Sequence, residues 1–309
     1  MPNAVLTLST VLATAPWTRA LKDGVVQSDR VQLNFVDIPR VNDAYPSMVR
    51  DQAYDLCQMS PTTYLLARSL GKPITALPVF LDRHFHHGVM AYNVASGIRM
   101  PKDLEGRSAG VGSWTITTGV YGRVVLQTDY GVDLNSIRYL SFEDPHVAEY
   151  AEPAIVARAP VGKKLNDMLI AGEIDAGIAG GLPQTDDVKL LIPDPGPVEE
   201  AWYRRTGNYP LVSTVVVRDE LLAEYPWLAG ELFRLFEASR DTYLGALKAG
   251  TANTSADERI LWQASVIGGD PLPYGVSANR HSIDLLVQAL CEQEILPSAL
   301  AAEELFAVV

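Results

Sequence analysis

The densest concentration of chemistry in this chain is Arg83-His84-Phe85-His86-His87-Gly88, which sets three of the protein's five histidines beside an arginine. Histidine is the natural proton donor or acceptor near neutral pH, and an arginine fork can hold a carboxylate through two parallel hydrogen bonds. In an extended segment, alternation sends His84 and His86 to one side and Arg83 with His87 to the other. The pattern fits a general acid, His87 or His86, next to an anion clamp, Arg83. A divalent metal on the shared face of His84 and His86 is the minority reading, because a third ligand would have to come from elsewhere, Glu143 or His146. The plain alternative is that two of the three histidines serve packing alone.

Such a cluster needs a scaffold. The chain alternates short apolar runs with helical patterns, which predicts an α/β fold with a largely parallel sheet. Strands are expected at 5–9, 31–36, 54–59, 108–112, 174–179 and 211–217. Helices are expected at 43–52, 61–69, 115–129, 163–171 and 282–292, with another opening at Pro226. Met48 and Asp55 stand seven residues apart, as do Met168 and Asp175, and each aspartate precedes an apolar run. The echo points to two similar lobes. Residues 1–92 with 211–309 form the expected discontinuous first lobe, and 93–210 the second.

In an open α/β sheet, ligands lie beyond the carboxyl ends of the strands, where helix N-termini present N–H groups. That rule selects segments 9–19, 60–63, 112–118 and 180–184. From them Ser9, Arg19, Ser60, Thr62, Trp114, Thr115 and Thr117 are the expected substrate-binding residues, suited to a planar ligand bearing carboxylates. The competing reading makes each Ser and Thr a helix cap.

Composition narrows the function. Among 309 residues, 25 Lys and Arg face 37 Asp and Glu, a net charge of −12 without a basic stripe, so no nucleic-acid partner is expected. No apolar run approaches the ~20 residues of a membrane-spanning helix. Ala13-Thr14-Ala15 imitates a signal-peptidase site, but no Lys or Arg precedes Arg19, so the chain is expected in the cytoplasm. Cys57 and Cys291 fit buried reduced thiols. Dinucleotide, phosphate-loop, nucleophile-elbow and zinc-protease motifs are absent. Asp186-Asp187 and Glu199-Glu200 read as solvated loop charge. Nothing in the sequence excludes a homo-oligomer.

A wider set of motifs resembles one family. Arg50-Asp51-Gln52-Ala53-Tyr54-Asp55, Met59-Ser60-Pro61-Thr62-Thr63-Tyr64 and Leu77-Pro78-Val79-Phe80 running into the histidine cluster resemble the 4,5-dihydroxyphthalate decarboxylase family. So do Pro101-Lys102-Asp103-Leu104-Glu105-Gly106-Arg107, Tyr203-Arg204-Arg205-Thr206-Gly207 and Pro273-Tyr274-Gly275-Val276 with Asn279-Arg280. The resemblance spans nearly the whole chain and departs from the family pattern at 112–117, 178–183 and 265–270, as in a divergent member. It implies a two-lobed fold like that of type II periplasmic solute-binding proteins, with the ligand between the lobes. It also implies conversion of 4,5-dihydroxyphthalate, or a similar hydroxylated aromatic acid, to protocatechuate and carbon dioxide without an organic cofactor. The alternative is a non-enzymatic, solute-binding-like protein that senses or carries a small organic acid.

Overall fold

The computed structural model describes residues 5–309. Along the chain run β1 (Leu6–Val11), α1 (Pro16–Lys22), β2 (Val31–Phe35), α2 (Tyr45–Asp51), β3 (Leu56–Met59), α3 (Pro61–Ser69), β4 (Ile74–Arg83) and β5 (Met90–Asn93). Then come β6 (Ser108–Val111), α4 (Thr117–Tyr130), β7 (Arg138–Ser141), β8 (Val156–Arg158), α5 (Leu165–Ile170), β9 (Ala176–Ile178) and β10 (Val188–Leu190). The last stretch holds α6 (Pro195–Thr206), β11 (Leu211–Arg218), α7 (Asp219–Glu224), α8 (Leu228–Lys248), α9 (Ser255–Ile267), α10 (Val276–Glu292) and α11 (Ala302–Leu305). Two compact units result. One contains residues 5–84, Leu211–Val287 and Ser298–Val309; the other contains Phe85–Pro210 and Gln288–Pro297. The first crossing thus falls inside the histidine cluster rather than near residue 92, and a short piece of the C-terminal region joins the second unit.

The first unit has the sheet order β2-β1-β3-β11-β4. β1 runs parallel to both β2 and β3, whereas β11 is antiparallel to β3 and β4. All four residues of β3 are buried, as an inner strand requires. β4 lies at an edge, where Pro78 is tolerated despite its missing N–H. The ladder jumps from Val215 opposite Leu77 to Thr214 opposite Phe80, which lets Pro78 and Val79 bulge out. On α8, Leu228, Leu232, Leu235, Phe236, Tyr243 and Leu247 follow helical spacing and are buried against the sheet residues and Trp17.

The second unit has the order β10-β5-β9-β6-β7-β8. β9, β6, β7 and β8 are parallel, and β5 is antiparallel to β9 and β10. Its core gathers Ala91, Met168, Leu169, Ile174 and Val188. Gly131 ends α4 in the left-handed region at φ +59°, where a side chain would be strained.

Both aspartates of the sequence echo do the same job. The Ser9 N–H and hydroxyl donate to Asp55 Oδ2 at 2.8 Å each, and Ser9 Oγ accepts the Asp55 N–H at 3.0 Å. Ser108 and Asp175 repeat this clasp at 2.8, 2.7 and 3.0 Å. In each unit the clasp fastens a strand's start to its parallel neighbour, β3 to β1 and β9 to β6.

Candidate functional site

At the carboxyl edge of the first unit's sheet, β1, β3 and β4 end and β11 begins. Gln58, an amide inside the apolar run of β3, takes the Ala13 N–H at 3.0 Å and donates to Ser213 Oγ at 3.3 Å. Ser213 in turn lies opposite Asp82 across the β11–β4 ladder. Ser60 caps α3: its hydroxyl accepts the Thr63 N–H at 3.2 Å and donates to Thr63 Oγ1 at 2.9 Å. Thr62, in the first turn, is buried.

β4 delivers Arg83 to this edge. Its guanidinium is buried and donates to Asn279 Oδ1 and, at 3.3 Å, to Ser282 Oγ. Asn279 is held in that orientation because its amide nitrogen donates to the Pro273 and Gly275 carbonyls, both at 2.8 Å. His84 follows, with Nδ1 3.6 Å from Asp82 Oδ2 and a quarter of its side chain (25%) exposed. Partial burial pushes the Asp82 carboxyl up, but the His84 imidazole, Arg259 and the Arg83 backbone N–H outweigh it and hold the group below the usual carboxylate range. His84 and Asp82 form a dyad with one face to solvent.

The extended conformation stops at Arg83, and His87 opens a 3₁₀ turn, His87–Val89. The alternation expected for residues 83–87 therefore does not apply. His86 and His87 belong to the second unit and are buried, 1% and 0% exposed. His86 stacks on Tyr121 at 4.9 Å between ring centres. His87 is set edge-on to Trp202 at 5.5 Å, with Nε2 3.6 Å from Asp129 Oδ2 and Nδ1 3.8 Å from Glu199 Oε1. Glu199, expected as solvated loop charge, sits on the inner face of α6. Pro195 is compatible with the helix start, so the proline-rich stretch conceals a helix rather than breaking one. Burial pushes the Glu199 carboxyl up to about 7, against the opposing pull of the His87 backbone N–H that it accepts.

The other expected residues are distributed as follows. The Ser9 hydroxyl is engaged with Asp55 inside the sheet, and Arg19 stands exposed on α1. In the second unit, Ser113, Thr115 and Thr117 are buried where β6 passes into α4, with Ser113 and Thr115 hydroxyls 3.2 Å apart. Trp114 offers no open stacking face. Its ring meets Tyr139 edge-on at 4.9 Å, the Arg123 guanidinium covers it at 3.6 Å, and its indole N–H donates to the Gln293 carbonyl at 2.9 Å. Gln58, Asp82 and Arg123 escaped the sequence reading, Asn279 entered it only within a family motif, and Glu199 only as loop charge. Polar residues inside apolar runs, such as Gln58 and Asp82, are the signal that could have found the first two. Among the described residues, no group of three or more His, Cys, Asp or Glu side chains could hold a metal ion, and no helix is long and apolar enough to cross a membrane.

No family model matches the chain. It is 30% identical over 296 residues to a 4,5-dihydroxyphthalate decarboxylase of Comamonas testosteroni, a match covering 90% of this chain and 89% of that protein. Among solved structures, the desulfurization enzyme DszB superposes with a TM-score of 0.56 at 17% identity, covering 99% of this chain and 96% of that one. The alkanesulfonate-binding protein SsuA from Xanthomonas axonopodis pv. citri gives 0.56 at 13% identity, covering 99% of each chain. These two likenesses establish a periplasmic-binding-protein-like fold and nothing finer. The sequence match reaches through both units, and the chain belongs to the 4,5-dihydroxyphthalate decarboxylase family.

Proposed function

We propose that the protein decarboxylates a hydroxylated aromatic dicarboxylic acid, with 4,5-dihydroxyphthalate converted to protocatechuate and carbon dioxide as the reaction. The observation that carries this reading is the 30% identity over 296 residues to a decarboxylase of that description. The hydroxyl para to the departing carboxylate supplies electron density to the ring. The carbon bearing that carboxylate takes up a proton, its bond to the carboxylate then breaks with the electron pair returning to the ring, and carbon dioxide leaves as aromaticity is restored. The reaction consumes one proton per carbon dioxide and needs a donor beside the reacting carbon.

Sequence alone favoured His87 or His86 as that donor. Burial of both rings shifts the assignment to His84, whose imidazole has an open edge and is oriented by the Asp82 carboxylate. In this reading the first turn of α3, with Ser60 and Thr62, faces an anionic substituent, and Arg83 holds the end of β4 against α10.

Carbon dioxide release from 4,5-dihydroxyphthalate, measured for wild type and for His84→Ala, His86→Ala and His87→Ala, tests the proposal. Removing a general acid should lower turnover ~100-fold or more in His84→Ala, with melting little changed. The two buried variants should lose stability while keeping turnover per folded molecule. Tight binding of the acid by wild type with no carbon dioxide released would favour a solute-binding role instead.

A further inference from the structure

Gln263, on α9 in the first unit, is a long polar side chain in an interior position, 1% exposed. Its Nε2 donates to the Arg83 carbonyl at 3.0 Å. Its Oε1 is buried and has no hydrogen-bond partner among the described residues. The reverse amide orientation would set oxygen against oxygen at Arg83, so the donor is fixed on this side. Ordering such a side chain and leaving its acceptor unmet are both unfavourable in an interior. The bond to Arg83 is what the position gains.

The carbonyl it grips belongs to the peptide bond that joins Arg83 to His84. That bond is planar, so holding its oxygen also fixes the nitrogen and Cα from which the imidazole extends. β4 is an edge strand that ends at Arg83, and His84 stands outside it, where ladder hydrogen bonds do not set its backbone. Arg83 is therefore pinned twice: Asn279 of α10 takes its guanidinium, and Gln263 of α9 takes its main chain.

α9 is a firm base for this grip. In its first turn, Asp257 accepts the Thr254 N–H at 2.8 Å and the hydroxyl of Tyr243, on α8, at 2.7 Å. Ile260 is wholly buried in the first unit's core. Arg259 lies one helical turn before Gln263, on the same face, and its charge reaches the other member of the dyad. Burial raises the Asp82 carboxyl, while His84 and then Arg259 pull it back below the usual carboxylate range.

We infer that Gln263 is a positioning residue for His84: by holding the Arg83 carbonyl it fixes the peptide plane that aims the imidazole at Asp82. The catalytic consequence rests on the proposed function; the ordering of the ring does not.

The test joins kinetics with nuclear magnetic resonance relaxation of the histidine rings in the full-length protein, the His84 signals being identified by their loss in His84→Ala. Gln263→Met, with Gln263→Leu as a second variant, removes the donor together with the unmet Oε1, so melting should change little. In wild type the His84 ring should be ordered, and in either variant it should become mobile. With 4,5-dihydroxyphthalate, kcat should fall ~10-fold or more while KM stays near wild type, because only the aim of the proton donor is lost. In a His84→Ala background, Gln263→Met should lower kcat no further. A freely mobile His84 ring in wild type, a ring that stays ordered in both folded variants, or an equal loss of kcat with and without His84 would each overturn the inference. If the ring loosens as expected but wild type releases no carbon dioxide, the proposed function fails and the positioning role stands. If His84→Ala loses turnover while the Gln263 variants keep both ring order and kcat, the inference fails and the proposed function stands.

Discussion

Glu199 accepts the backbone N–H of His87 and lies 3.8 Å from the same residue's ring, so one carboxylate anchors both the main chain and the side chain at the start of the 3₁₀ turn. Burial raises its pKa from the usual 4.5 to about 7. The native state therefore binds more protons than the unfolded chain between those values, and stability is lost as pH rises through that window. The shift corresponds to about 3 kcal/mol. Glu199→Gln removes the titration, so the melting temperature of wild type should fall relative to the variant as pH rises from 4.5 to 7. Parallel pH profiles for the two proteins would contradict this account.

The paired Ser–Asp clasps predict matched losses of stability. Ser9→Ala and Ser108→Ala each remove a hydroxyl that donates to one aspartate oxygen and accepts the same aspartate's N–H. Each should cost about 1–3 kcal/mol in denaturant melts. Turnover per folded molecule should be unchanged. A selective loss of substrate affinity in Ser9→Ala would return that hydroxyl to the substrate-binding set.

These clasps show how far sequence reading reaches. The Met-to-Asp echo was visible because chain spacing records it, but its meaning required two strands to meet. Short buried strands such as β3 and β6 were legible from their apolar runs and the small residues that end them. β4 was not, since Pro78 interrupts it and only its edge position and bulge make the proline harmless. The histidine cluster was legible as chemistry. Which ring stays open was not, because that depends on where β4 ends and on Tyr121, Trp202, Asp129 and Glu199, which are distant in sequence. Arg123 was hidden among the apolar residues of an amphipathic helix. Gly119 and Gly122, unfavourable in a helix interior, were the one local hint.

Arg83 separates a structural cation from a substrate clamp. Arg83→Ala leaves the buried Asn279 oxygen without its donor, which should cost about 1–3 kcal/mol of stability. KM for the acid should stay close to wild type. A normal melt with a raised KM would instead assign the guanidinium to a carboxylate of the substrate.

In the proposed reaction a ring carboxylate is replaced by a solvent-derived proton. Nuclear magnetic resonance of 4,5-dihydroxyphthalate incubated with wild type in D₂O follows substrate, product and label in one measurement. Wild type should form protocatechuate carrying one deuterium at the vacated ring carbon, with one equivalent of carbon dioxide. Substrate recovered unchanged, or product with protium at that carbon, would contradict it.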